Sequence, residues 1–237
     1  ESIKSRIDKN AQVVAVIKTD GYGHGAAQIA RVLEPDEQVW GYAVATAEEA
    51  FSLREHAIRK PILILGYTFP YSYEKLINED VRMAVFMDDV AQMLSDKAVE
   101  MGKVCKVHVK VDTGMTRIGI RPDAEGIAFV DRLSKLPGIE IEGIFTHFAT
   151  ADEKDRSKTR KQYEDFCDFT EKIESELKRH IPMKHCANSA SIVEMPQMHM
   201  DAVRAGIILY CLWPSASVQK DHQIDLYPVL SLKTRVV

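Results

Sequence analysis

The residues able to move a proton or hold an anion fall at the ends of apolar runs. Lys18 closes VVAVIK and is followed by TDGYGHG, which brings Tyr22 close behind it. A lysine in that place is as often a snorkelling strand end as a reacting amine. Lys110, Asp112 and Arg117 are grouped in KVDTGMTRIG, and His147 sits in THF after another apolar run. A lone strand-end histidine is more often structural than catalytic. Ser189 lies in CANSAS, and Arg204 precedes Gly206 and Ile207 in VRAGII. A hydroxyl and a small residue whose backbone N–H groups are accessible suit a phosphate. A phosphate held there, with a lysine amine nearby, suits a phosphorylated aldehyde cofactor carried as a Schiff base.

Eight runs of strand length supply the positions these groups need. They are Val13–Lys18, Val39–Ala45, Pro61–Gly66, Val81–Met87, Cys105–Val111, Ile141–Phe148, Met183–Ala187 and Val203–Leu209. Most are apolar with little alternation, the pattern of parallel strands covered on both faces. Helical patterns run between them over Ala26–Leu33, Ala47–His56, Asp88–Met101, Ala124–Leu136 and Lys158–Arg179. Thr46 ahead of Glu48 and Glu49, and the pair Asp88-Asp89, mark acidic helix starts. The alternation predicts an α/β fold, a (β/α)8 TIM-type barrel, whose functional groups gather at the C-terminal ends of the strands. A doubly wound open sheet has the same periodicity and remains the structural alternative. The predicted division is a barrel over 1–213, followed over 214–237 by a linker and the start of a C-terminal β domain. A new strand is expected over Val229–Val237.

Composition narrows the class further. The chain has 237 residues, 46% hydrophobic and 28% charged, with a net charge of −4. A single barrel fits that length. The acidic balance carries no footprint for nucleic acid, which calls for a clustered basic surplus. Cys105, Cys167, Cys186 and Cys211 are widely spaced without a Cys-x-x-Cys pair. They read as reduced thiols in a cytoplasmic protein, and no metal site is expected. No apolar run reaches the roughly 18 residues that span a bilayer. The first residues, ESIKSRID, hold no signal-peptide core.

Five blocks carry a resemblance. AVIKTDGYGHG (Ala15–Gly25) resembles the pyridoxal-phosphate lysine signature of bacterial alanine racemases, and KVDTGMTRIG (Lys110–Gly119) resembles their second signature. FTHFATADE, HCANSAS and AVRAGIILY are similar to further blocks in the same order. The resemblance implies a pyridoxal-phosphate-dependent racemase of L- and D-alanine serving peptidoglycan synthesis. In it Lys18 carries the cofactor and acts as one of two bases at Cα. Tyr22, Ser189 and the N–H groups of Gly206 and Ile207 bind the phosphate, and Arg204 faces the pyridine nitrogen. Arg117 lies near the phenolic oxygen and the substrate carboxylate. Lys110 matches a lysine often carbamylated to hold that arginine, and His147 hydrogen-bonds Arg204 and poises the opposite base.

The same resemblance assigns the second base to a tyrosine in a C-terminal domain of the partner subunit of a homodimer. That domain and the family's short N-terminal strand are not found in this sequence, so the fragment is expected to bind cofactor but racemise poorly. Two departures are visible: Thr19-Asp20-Gly21 stands where Ala-Asn-Ala is usual, and Cys211 where glycine commonly follows. A serine/alanine racemase of the vancomycin-resistance type, membrane-anchored in its parent, and a single-domain pyridoxal-phosphate carrier protein are the alternatives.

Overall fold

The computed structural model describes residues 2–221, 224–228, 230–231 and 233–235. Eight parallel strands form one sheet: β1 (Gln12–Val16), β2 (Val39–Val44), β3 (Ile62–Ile64), β4 (Val81–Val85), β5 (Cys105–Lys110), β6 (Ile139–Phe145), β7 (Met183–His185) and β8 (Ala202–Ala205). Their order is β7-β6-β5-β4-β3-β2-β1-β8, so β1 is paired on both edges. The order runs through the chain without the reversal of a doubly wound sheet, and its two end strands, β7 and β8, meet, which excludes an open sheet. Between β7 and β8 the ring is completed by the Asp201 N–H donating to the Lys184 carbonyl at 3.1 Å and the Arg204 N–H to the Ala187 carbonyl at 3.0 Å.

Every expected run contains a strand, and most strands end earlier than the apolar pattern does. Val203–Leu209 is the clearest case: β8 stops at Ala205, and Ile207–Tyr210 turns into a 3-10 helix after Gly206. Hydrophobicity continues across that break because both segments are buried, so periodicity does not mark it.

The helices are α1 (Lys18–Tyr22), α2 (Ala26–Leu33), α3 (Ala47–Glu55), α4 (Tyr73–Asn78), α5 (Asp88–Glu100), α6 (Ala124–Lys135), α7 (Ser157–Leu177), α8 (Ser189–Glu194) and α9 (Ala216–Asp221). Thr46 caps α3 by accepting from the Glu49 N–H. Asp88 is the first residue of α5 rather than its cap, and its carboxylate pairs with Arg132 of α6. After the barrel, Val218 and Ile224 pack into its outer core. Of the expected strand Val229–Val237, Val229, Leu232, Val236 and Val237 lie outside the described residues. The described ones are in no strand. Each barrel strand already has its neighbours, so no free edge is left for another strand to join.

Between strands and helices lies the main apolar core, with Val107, Val109, Phe166, Phe169 and Ile173 among its members. The barrel interior differs from the apolar expectation. A small cluster of Val14, Val16, Ala43, Met183 and Ala202 shares it with the buried side chains of Arg82, His108, Lys110, His185 and Arg204. Buried polar groups at such density persist only when each finds a partner.

Candidate active site

Lys18 follows β1 by two residues and opens an unusual turn. Thr19, Asp20, Gly21 and Tyr22 all adopt left-handed helical conformations, with φ between 50° and 61°. Such backbone costs roughly 1–2 kcal/mol per non-glycine residue, so it must be held from outside. Glu49 of α3 does this, accepting from the Thr19 N–H at 2.6 Å and from the Ala45 N–H at 2.7 Å. Asp20 Oδ1 accepts from the Ala26 N–H at 2.8 Å, tying the turn to α2. The result carries Tyr22 back over the barrel mouth. There its ring packs 4.8 Å from that of Tyr210, whose other neighbour is His24 at 4.9 Å.

Across the mouth, Asn188 caps α8 through a reciprocal pair of bonds with Ser191, which places Ser189 at the first helical position. Ser189 Oγ accepts from the Gly206 N–H at 3.1 Å and from the Ile208 N–H at 3.4 Å. A Cβ built on Gly206 would lie 3.5 Å from both Ser189 Oγ and Tyr22 Oη. The missing side chain therefore leaves a cradle beside two hydroxyls, the kind of donor a phosphate takes.

The opposite wall is cationic. Arg204, 3% exposed, donates from Nη2 to the Thr146 carbonyl at 2.6 Å and to the Cys186 carbonyl at 3.1 Å. Its Nη1 donates to the His185 carbonyl at 3.0 Å and to His185 Nδ1 at 2.9 Å, and Nη2 reaches His147 Nδ1 at 3.3 Å. Because a guanidinium only donates, both imidazoles accept at Nδ1. Burial lowers Arg204 to about 10, still fully protonated at neutral pH. Burial first, then the charges of Arg204, Arg117, Lys110 and Lys18, push His147 down to about 3, so it is neutral.

Lys110 is 2% exposed and donates to the Val111 carbonyl at 2.6 Å. Burial, then Arg204, lowers its amine to about 7. Arg117 is exposed on the cavity wall, and Asp112 shapes its loop by accepting from the N–H groups of Gly114 and Thr116.

Lys18, Tyr22, Lys110, Arg117, His147, Ser189, Arg204, Gly206 and Ile207 all line a single cavity of ≈ 520 Å³. Tyr67, Asp152, Asn188 and Pro214 line it too, and sequence reasoning passed over them. It also missed the support given by Glu49, Tyr210 and His185. Glu49 reads as an acidic helix start, and only the fold shows its second task. His185 lies in HCANSAS and Tyr210 in AVRAGIILY, where residue type alone gives neither a role. A cavity lined by Lys18, Lys110, Arg117 and Arg204 beside a phosphate-type cradle suits an anionic ligand. Among the described residues no cluster of three metal-binding side chains occurs, and no helix is long and apolar enough to cross a membrane.

Comparison with known proteins bears on this geometry. The profile of the family described as "Alanine racemase, N-terminal domain" matches residues 1–214. The alanine racemase of Clostridium tetani is 43% identical over 231 residues, covering 98% of this chain and 59% of the relative. That of Methanococcus maripaludis is 38% identical over 237 residues, covering 100% and 62%. Among solved structures, alanine racemase of Clostridium difficile 630 in complex with cycloserine superposes with a TM-score of 0.92. It has 41% identity, covering 96% of this chain and 62% of that one. Alanine racemase of Bacillus anthracis with bound L-Ala-P gives a TM-score of 0.83 at 35% identity, covering 95% and 58%. The chain thus spans about three-fifths of the length of these relatives.

Proposed function

The chain belongs to the alanine racemase family, and from that premise we propose that it is the cofactor-binding barrel of a pyridoxal-phosphate-dependent enzyme interconverting L- and D-alanine. The carrying observation is that Lys18, the Tyr22–Ser189–Gly206 cradle and buried Arg204 share one cavity.

Tyr22, Ser189 and the N–H groups of Gly206 and Ile207 would bind the phosphate. Holding a dianion by dipoles and hydroxyls fixes one end of a ligand while leaving the other free to react. Arg204 would donate to the ring nitrogen, and since guanidinium keeps its proton, that nitrogen gains a hydrogen bond rather than a full positive charge. Pyridoxal phosphate, when bound, supplies an aldehyde that condenses with amines and a ring that delocalises the electrons released when Cα loses its proton. Lys18 would hold and return that proton at Nζ on one face.

Inversion needs a second base on the other face, and we assign it to the tyrosine that the family supplies from a C-terminal domain of a partner subunit. Residues 214–237 would lead towards that domain, in a cytoplasmic homodimer with shared active sites. His147 is neutral and accepts from Arg204, so it positions rather than exchanges protons. Arg117 offers a fork of donors to the substrate carboxylate. Lys110, with its lowered pKa, is suited to become a carbamate that orients Arg117.

Borohydride reduction of the protein with pyridoxal phosphate, followed by peptide mapping, tests the reading. A covalent label on Lys18 is expected, and a label fixed elsewhere with Lys18 unmodified would overturn it. Loaded with pyridoxal phosphate and left unreduced, residues 1–237 by themselves should racemise alanine slowly, since the second base is assigned to the partner's domain.

A further inference from the structure

A line of side chains, buried except for the partly buried Glu142, leads away from Arg204 into the barrel. His185 Nε2 lies 3.0 Å from His108 Nδ1, and His108 Nε2 lies 3.1 Å from Glu142 Oε2. Arg82 closes the line with a two-point grip on the Glu142 carboxylate, at 2.9 Å from Nε and 3.0 Å from Nη2. Both imidazoles are 0% exposed and Arg82 is 5% exposed. The four strands β4 to β7 each contribute one member, and β8 contributes Arg204. None of Arg82, His108 and Glu142 lines the cavity.

The chemistry of the two ends fixes every proton in between. Arg204 Nη1 can only donate, so His185 Nδ1 accepts and its proton sits on Nε2. That Nε2–H points at His108 Nδ1, which must accept, so His108 also carries its proton on Nε2. The His108 Nε2–H then donates to Glu142, which must be an ionised carboxylate. An imidazolium at either histidine would set two donors face to face. Burial favours the same states, lowering both histidines, and Glu142 is held down to about 2 despite its burial by its bonds from His108 and Arg82. Space for the line is built in as well. A Cβ on Gly143 would stand 2.5 Å from His108 Nδ1.

We propose that Glu142, pinned by Arg82, is a positioning residue that sets the His108 and His185 tautomers and thereby orients the Arg204 guanidinium at the cofactor end of the cavity. The inference rests on the assignment of Arg204 to the cofactor ring. Its consequence is electrostatic: Arg204 is oriented by neutral imidazoles and carbonyls, with the nearest carboxylate of the line two rings away. Its charge stays directed into the cavity instead of being neutralised by a contact ion pair.

Long-range 1H–15N spectra of 15N-histidine-labelled protein read the tautomers directly, without any variant. Both rings are expected as neutral Nε2–H forms. Finding either as Nδ1–H or as imidazolium overturns the proposal. Glu142→Gln presents one amide oxygen and one NH2 where His108 and Arg82 both need acceptors. It should therefore disturb the His185 signals and weaken pyridoxal phosphate about tenfold, the scale on which supporting hydrogen bonds act. Val107→Ala, a neighbouring core deletion, controls for general loosening and should leave cofactor affinity unchanged. Equal weakening by both variants, or unchanged affinity in Glu142→Gln, defeats the positioning role. Failure of Lys18 to take the borohydride label in the wild type would defeat the cofactor reading instead, and the spectra of the protein alone would still report the line.

Discussion

The Tyr210 hydroxyl donates to the Val16 carbonyl at 2.8 Å, joining residues 194 positions apart. The bond ties the segment after β8 to the end of β1, two residues before Lys18. The Tyr210 ring meanwhile packs on Tyr22. One buried side chain thus braces both the reacting lysine and the phosphate-binding tyrosine from across the barrel seam. Tyr210→Phe keeps the stack and removes the donor. Unfolding in urea should show a loss of about 1 kcal/mol, together with slower labelling of Lys18. An unchanged midpoint and labelling rate would show that the bond braces nothing.

Glu49 satisfies two backbone N–H groups at the left-handed turn with its two carboxylate oxygens. Glu49→Gln retains one acceptor and loses the charge, which should cost about 1.5–3 kcal/mol. The cofactor-induced absorbance band should weaken with it, since the turn sets the place of Tyr22. If the band persists at full strength in a destabilised variant, the turn is structural only.

The space above Gly206 separates phosphate recognition from the rest of the ligand. Gly206→Ala would place a methyl 3.5 Å from Ser189 Oγ and Tyr22 Oη, filling the cradle. Affinity for pyridoxal phosphate should fall at least about tenfold, a loss of roughly 1.4 kcal/mol. Affinity for pyridoxal, which lacks the phosphate, should be little altered. Equal losses for the two ligands would move the phosphate site elsewhere.

Acid should unfold this barrel early. His147 is lowered to about 3 and His185 well below its ordinary value of 6.5, each by burial and then by the Arg204 charge. His108 is lowered too, by burial above all. In the unfolded chain these rings take up protons near 6.5, so below that pH the unfolded state binds more protons and stability falls as pH falls. Each ring held neutral contributes a slope of about 1.4 kcal/mol per pH unit. Glu142, held down to about 2 against burial by its bonds from His108 and Arg82, adds to the same trend below its ordinary 4.5. Urea midpoints should therefore drop steeply from pH 6.5 downward. A flat profile to 4.5 would mean that the rings are charged or solvated in the folded state.

Lys110 titrates near 7 because burial, and then Arg204, disfavours its cation. At pH 8 about nine-tenths of its amine is neutral and able to attack CO2, forming a carbamate with release of one proton. A 13C-bicarbonate carbamate resonance should appear in the wild type and vanish in Lys110→Gln. Its persistence in that variant would place the modification on another amine.

The order of strand and helix was legible because each element carries its own period. Ala26–Leu33 in the sequence pattern is the helix Ala26–Leu33 in the fold. The candidate residues were legible for a related reason: strand ends are where barrels hold chemistry, and five ordered blocks put named residues on those ends. Glu49 reads as a helix-start acid, and nothing local says that its oxygens reach Thr19, 30 residues away. Closure of the ring was equally hidden, since the same alternation serves an open sheet. It depends on β8 pairing β1 on one side, a contact between the two ends of the barrel, and meeting β7 on the other.

By itself, then, the sequence determined the kind of fold, the family resemblance and the identities of the groups around the cavity, because these depend on local period and on residue type at strand ends. Tertiary structure alone decided the protonation logic inside. Arg82, His108, Glu142, His185 and Arg204 sit on five strands and interrupt runs that read as apolar core. Their states follow from who donates to whom at about 3 Å, and hydrogen-bond direction exists only once the strands are side by side.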